Sequence, residues 1–414
     1  VIGLASYSVP PITPPLNARP NNSLELSGAN FELNAEIMDA LLGNLRVSYN
    51  PSGPERVNAD TITSRLSSPN IFINTAFLTL GDLNKSPFYI SAGQMFLPFG
   101  EYGSNLQTSP LPARVGRIKQ RPILVGFEPR FIPGFNASLF TFSGDSYVAK
   151  KSGVINNGGT NVSYTLSNSW FSLTSGASYI INIADSGGMQ NSGPSTIVTD
   201  AGNTVDNSFL DEEDLSDLDQ QDQINAINDK FANLAQAVAA LEKVVFPVRG
   251  FRGFGELGGE SLERRVPAID LRAKLKIKNL PISFLGEFVR PTRSFAANNV
   301  SYNENYVDTD NLLGAAPTAW NAEVSWDFKI INNPSSLTIG YGHSSQALAF
   351  NIPQSSRGVT VKTKYKALAF GVGYSYDTAY PAGSYATGQG FEPKSNKFVG
   401  THSQSLTGQV SAKF

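Results

Sequence analysis

The sequence predicts an all-β fold: a 16-stranded antiparallel transmembrane β-barrel carrying a helical loop insertion. Three observations predict it. Many segments alternate apolar and polar residues, the connections alternate strictly between short and long, and no apolar run approaches the roughly 18 residues of a spanning helix. Low overall hydropathy does not oppose a barrel, because only alternate strand residues touch lipid.

Alternation and turn signals place strands at 1–9, 22–38, 41–50, 70–82, 86–98, 121–129, 131–143, 160–168, 170–184, 266–277, 280–293, 319–330, 335–348, 357–366, 368–380 and 405–414. The C-terminal segment is the clearest. Leu406, Gly408, Val410, Ala412 and Phe414 alternate with Ser405, Thr407, Gln409, Ser411 and Lys413, and a strand places the two sets on opposite faces. In 319–330, Trp320, Ala322, Val324, Trp326, Phe328 and Ile330 alternate with Asn321, Glu323, Ser325, Asp327 and Lys329. In 266–277, Leu271, Ala273, Leu275 and Ile277 alternate with Asp270, Arg272, Lys274 and Lys276. In 368–376, Leu368, Phe370, Val372, Tyr374 and Tyr376 alternate with small residues. A soluble sandwich alternates in the same way; loop asymmetry separates the two cases.

Short connections fall at 39–40, 83–85, Pro129-Arg130, Ser169, Asn279, 331–334 and Ala367. Long ones fall at 10–21, 51–69, 99–120, 144–159, 185–265, 294–318, 349–356 and 381–404. All long loops therefore share one end, as in bacterial outer-membrane barrels, with short turns at the periplasmic side. The first strand, carrying Ile2, Leu4 and Tyr7, is read more from parity than from its own pattern. Without it the count is odd and the chain starts outside. No signal peptide is visible at Val1, so a secreted protein is read here in processed or trimmed form.

The insertion 185–265 contains the one helical period. Ile224, Ile227, Phe231, Leu234, Val238, Leu241 and Val245 form a narrow heptad seam, predicting a helix near 214–245 that stops before Pro247. Three partners fit that seam: the barrel's own rim, the lumen as a plug, or a second copy in a homo-oligomer. The acidic run Asp211 to Asp222 lacks calcium-loop spacing and reads as helix capping and solvation.

Composition excludes much chemistry. The 414 residues hold no cysteine and two histidines, His343 and His402, and net charge is −2. No metal site, cofactor or nucleic-acid partner is expected. No G-x-S-x-G, paired-histidine or P-loop motif is present, so the chain reads as a non-enzyme.

If the apolar sets face lipid, the polar sets line the lumen. Glu32 and Glu36 on the second strand then face Arg272, Lys274 and Lys276 on the tenth, giving a transverse field. Lys362, Lys364 and Lys366 add basic charge, as do Arg114, Arg117, Lys119 and Arg121 in and after loop 99–120, which is placed to fold inward and narrow the pore. These residues form a candidate anion-binding surface.

Residues 75–100 (TAFLTLGDLNKSPFYISAGQMFLPFG) resemble the LbtU-like siderophore porins and the related FslE and FupA iron-uptake proteins. Further matches are SYIINIADS (178–186), GEFVR (286–290) followed by Arg293-Ser-Phe, and AWNAEVSWDF (319–328). The resemblance implies uptake of an iron-siderophore, or of iron itself, across the outer membrane. It supplies no residue-level site. The insertion 185–265 departs from it; a coiled-coil segment occurs near the N-terminus of some members, whereas here Val1 starts at the barrel, which leaves open whether a periplasmic segment was removed. A general diffusion porin for small polar solutes is the alternative.

Overall fold

The computed structural model describes residues 4–8, 21–26, 28–50, 70–144, 146, 155–190, 262–304, 313–350, 352–381, 384–388, 394–395 and 402–412. The strands are β1 (Leu4–Ser8), β2 (Asn21–Leu26), β3 (Ala29–Met38), β4 (Leu41–Asn50), β5 (Asn70–Leu80), β6 (Phe88–Phe96), β7 (Lys119–Gln120), β8 (Ile123–Phe127), β9 (Phe135–Phe142), β10 (Asn157–Ser167), β11 (Phe171–Ile180), β12 (Ala268–Ile277), β13 (Ile282–Pro291), β14 (Val300–Asn303), β15 (Thr318–Ile330), β16 (Asn333–Ser345), β17 (Ser355–Tyr365), β18 (Leu368–Thr378), β19 (Tyr385–Gly388), β20 (Lys394–Ser395) and β21 (His402–Ala412). Two short helices, α1 (Leu111–Gly116) and α2 (Gly187–Gln190), sit in loops.

Eighteen strands pair antiparallel in one sheet. β2 and β3 are consecutive pieces of one traverse and β7 is a two-residue pairing beside β6, which leaves 16 traverses, the expected number. β1 pairs with β2 on one side and with β21 on the other. Every expected strand is present, with ends shifted by a few residues. Where sequence neighbours pair across a tight connection, local residues dictate the turn. Ile331 and Asn332, between β15 and β16, both hold positive φ (48° and 65°), the requirement of a two-residue hairpin whose twist matches its strands. Gly93, inside β6, holds φ 127°, and an added Cβ would lie 2.4 Å from the Ala76 carbonyl oxygen across the ladder.

The two faces behave as period-2 reading requires. Phe31, Ile71, Leu139 and Ile339 are 64%, 71%, 62% and 59% exposed. Their polar neighbours Glu323 and Thr338, on the other face, are 3% and 1% exposed. A surface of exposed Leu, Ile, Val, Phe, Trp and Tyr around a polar interior suits lipid outside and water inside. No helix of the described residues is long and apolar enough to cross a membrane. The chain is a β-barrel protein of the bacterial outer membrane.

The buried apolar cluster lies in the long loops and the strand ends beside them. Phe99, Tyr102, Leu111, Val115 and Ile118 join Ile183, Met189, Val266, Phe295, Val300, Phe350 and Tyr380 there. A three-stranded sheet of β14, β19 and β20, unforeseen from sequence, binds loops 292–317 and 379–401 together. The chain divides into a unit of 1–193 with 252–414 and a second unit of 194–251. The second unit lies outside the described residues, and so does the helix expected at 214–245.

Candidate constriction site

Loop 97–118, between β6 and β7, crosses the lumen and bonds to the wall built by β11, β13, β15 and β17. The Gly100 amide donates to Ser178 Oγ at 3.1 Å. The Glu101 and Tyr102 amides donate to the two oxygens of Glu287, at 2.7 and 2.8 Å. Ser104 Oγ and the Asn105 amide donate to the two oxygens of Glu323, at 2.6 and 2.7 Å. Asn105 Nδ2 donates to Ser325 Oγ at 3.0 Å, and the Gln107 amide to Thr360 Oγ1 at 3.3 Å. Glu287 and Glu323, both inward-facing and buried, each accept two bonds from the loop and are the two principal clamps.

Missing side chains make room for the loop. A Cβ on Gly340 or Gly358 would approach Leu106 to 2.7 or 3.0 Å. Gly371 and Gly373 face the Gln107 amide, whose nitrogen and oxygen are buried without partners among the described residues. The small residues alternating with Leu368, Phe370 and Val372 are thus the bed of the loop. Tyr102 packs behind the clamp, and burial pushes its hydroxyl well above the ordinary tyrosine range.

The basic residues fall into separate groups. Arg272 is not an open lumen charge: its side chain is 11% exposed, bonds to Asp270 at 2.7 Å and reaches Asn161 and Ser178. Glu32 is likewise occupied, by Arg46 at 2.6 Å, with Asn44 donating to the same carboxylate. The expected transverse field of Glu32 against Arg272 is corrected accordingly: each charge is neutralised on its own wall, because a direct partner outweighs one across water. Lys274, Lys276 and Lys364 remain exposed on inward positions and Lys362 is half-buried; Lys276 lies 4.0 Å from Asp327. These four lie on β12 and β17, toward the short-turn end.

Lys366 does not join them. It occupies the turn after β17 at φ 54° and lies over the Tyr365 ring, 5.4 Å from its centroid, at the lipid rim. Arg117 lies over Phe96 and Tyr102, and Lys119 over Phe72 and Phe96. Arg114 is half-buried on α1. Arg121 is exposed, bonds to Gln94 and shares the parity of lipid-facing Ile123 and Val125. The loop's basic residues therefore spread over its root, while its tip (104–108) is uncharged. Glu287 and Glu323 were missed as functional residues because a lumen carboxylate reads as pore lining until a backbone is seen to bind it. Among the described residues, no group of acids and histidines is placed to hold a metal.

No protein-family profile matches the chain. It is similar to a UPF0422 protein of Coxiella burnetii, 28% identical over 370 residues, covering 89% of this chain and 62% of the relative. A UPF0422 protein of Legionella pneumophila is 24% identical over 423 residues, covering all of this chain and 66% of the relative. The chain thus spans a little under two thirds of the length of these relatives. Among solved structures, OprB of Pseudomonas putida aligns with a TM-score of 0.50 and 8% identity over 100% of this chain and 92% of OprB. The outer membrane channel DcaP of Acinetobacter baumannii aligns with a TM-score of 0.48 and 10% identity over 99% and 95%. The fold is shared with OprB.

Proposed function

We propose that this outer-membrane barrel is an uptake porin for anionic solutes, the ferric polycarboxylate siderophore being the substrate class that its sequence resemblance favours. The observation carrying this reading is the bank of inward lysines, Lys274, Lys276, Lys362 and Lys364, beyond a loop clamped across the lumen. A solute slowed at the constriction meets cations on one wall, and a multiply charged carboxylate gains most from them. Arg114, Arg117 and Lys119 at the loop root make the candidate approach. Passage is diffusive, selected by lumen charge and loop geometry.

Radiolabelled ferric citrate-type siderophore, offered to the purified protein and to cells with and without the gene, tests the substrate. Saturable binding and an uptake defect are expected. Absence of both rejects the siderophore, while reversal potentials in planar bilayers separately test anion preference.

A second reading, general diffusion of small polar solutes, is supported by the opposite wall. There Glu32, Arg46, Asn34 and Asn44 bond mainly to one another and present a neutral polar surface. Large conductance for both ions with no saturation would favour it. The helix expected at 214–245 is proposed as a contact through which copies associate; if it is, deleting 203–246 should leave a monomer with its conductance intact.

A further inference from the structure

The lipid-facing side of the barrel carries a charge pattern that transport does not use. Apart from Arg121, which bonds to Gln94 ahead of β8, the outward strand positions whose side chains are described hold two charged groups, Arg290 on β13 and Arg357 on β17. Both are exposed. Arg290 is the penultimate residue of β13 and Arg357 the third of β17, each beside the end that continues into a long loop. Both therefore lie toward the outer leaflet.

The strands between them carry an aromatic platform. Trp320 on β15 lies 5.4 Å from Tyr341 and 6.4 Å from His343, both on β16. The Arg357 guanidinium sits over the Tyr341 ring at 6.0 Å. Arg357 is also the cross-strand partner of Tyr376, which stacks on His402 at 5.3 Å. Aromatic rings suit the headgroup level, where one edge is wet and the other apolar. An arginine on a ring keeps its N–H fork directed away from the sheet for a phosphate.

We propose that this face, from β13 to β18, binds a phosphorylated lipid of the outer leaflet, with Arg290 and Arg357 on the phosphates and Trp320, Tyr341 and Tyr376 against the sugar or upper acyl region. Phosphate is the partner because the arginines have no acidic one. No ion pair joins either to a carboxylate among the described residues, and from β3 to β21 no outward strand position whose side chain is described is Asp or Glu. A second copy docked by its own described strands would bring no carboxylate to these arginines, whereas an outer leaflet of phosphorylated glycolipid supplies anions at the right height. The inference rests on placement in the outer membrane and is independent of what the lumen carries.

The test uses the full chain refolded in detergent with bis-phosphorylated lipid A, with the same glycolipid lacking phosphate for comparison. Lipid retained after purification is counted by native mass spectrometry. Retention of the phosphorylated form is expected to fall at least tenfold in the Arg290→Ala/Arg357→Ala double variant. Arg357→Lys should retain an intermediate amount, and Lys85→Ala/Lys278→Ala, at the opposite rim, should match the parent. Heat-modifiable migration confirms that each barrel is folded. Should the double variant not fold, retention by Arg357→Lys and Arg290→Lys decides the matter. Equal retention with and without phosphate, or no loss in the arginine variants, overturns the proposal. Since the chain has no cysteine, Ile339→Cys gives a single thiol on this face. Efficient copy-to-copy crosslinking there would also overturn it, in favour of a protein interface.

Discussion

Replacing Glu323 with alanine should open the constriction. The carboxylate accepts from Ser104 Oγ at 2.6 Å and from the Asn105 amide at 2.7 Å, at a site 3% exposed. A hydrogen bond to a charged group contributes about 1.5–3 kcal/mol, so the pair holds the loop by roughly 3–6 kcal/mol, an upper range because neighbouring bonds are not additive. Losing even 3 kcal/mol raises the undocked-to-docked ratio by about a hundredfold, at ~1.4 kcal/mol per factor of ten. Single-channel conductance in planar bilayers should rise and become noisier in Glu323→Ala. Glu323→Gln keeps one acceptor oxygen and should fall between. An internal control is available: Asn105 Nδ2 and Ser325 Oγ are 3.0 Å apart. A short reducible bis-thiol crosslinker joining Asn105→Cys to Ser325→Cys, added to Glu323→Ala, should restore the low conductance and release it again on reduction. Parental conductance in Glu323→Ala, or a formed crosslink without effect, would refute the clamp.

Four further outcomes follow from the same geometry. Arg272→Glu should prevent assembly of the folded barrel, because breaking a buried ion pair leaves Asp270 uncompensated at about 3–5 kcal/mol, whereas Lys274→Glu/Lys276→Glu should fold and show reduced anion preference in reversal potentials. That preference should fall as salt rises from 0.01 M to 1 M, since the screening length shrinks from about 30 to about 3 Å; a preference unchanged by salt would mean that close contacts set it. Gly373→Leu should displace Gln107 and raise conductance, or destabilise the barrel by about 1–3 kcal/mol if the loop cannot yield, as read by urea unfolding. Gly93→Ala should lower the unfolding midpoint by an amount equivalent to about 1–3 kcal/mol, through strain at a positive φ.

The long-to-short rhythm of connections and the period-2 pattern determined the barrel: strand number, facing, and the end at which long loops gather. They did so because each strand must satisfy lipid on one side and water on the other, so every residue records its side locally. The segment 368–376 shows both the reach and the limit of that record. Its aromatic and aliphatic positions declared a lipid face, while Gly371 and Gly373 said only that the inner face was small. What filled that space came from Leu106 and Gln107, more than 250 residues earlier, and no local pattern ties the two. The charges tell the same story. Glu32, Arg272, Glu287 and Glu323 were all legible as inward-facing, yet their roles were not. Arg46 and Asp270 neutralise the first two, and a loop backbone binds the last two. Facing is a property of one strand and its solvent, and the sequence carries it. Whether an inward charge meets water, a partner or a backbone amide depends on which distant segment the fold brings within 3 Å, and only the tertiary structure decides that.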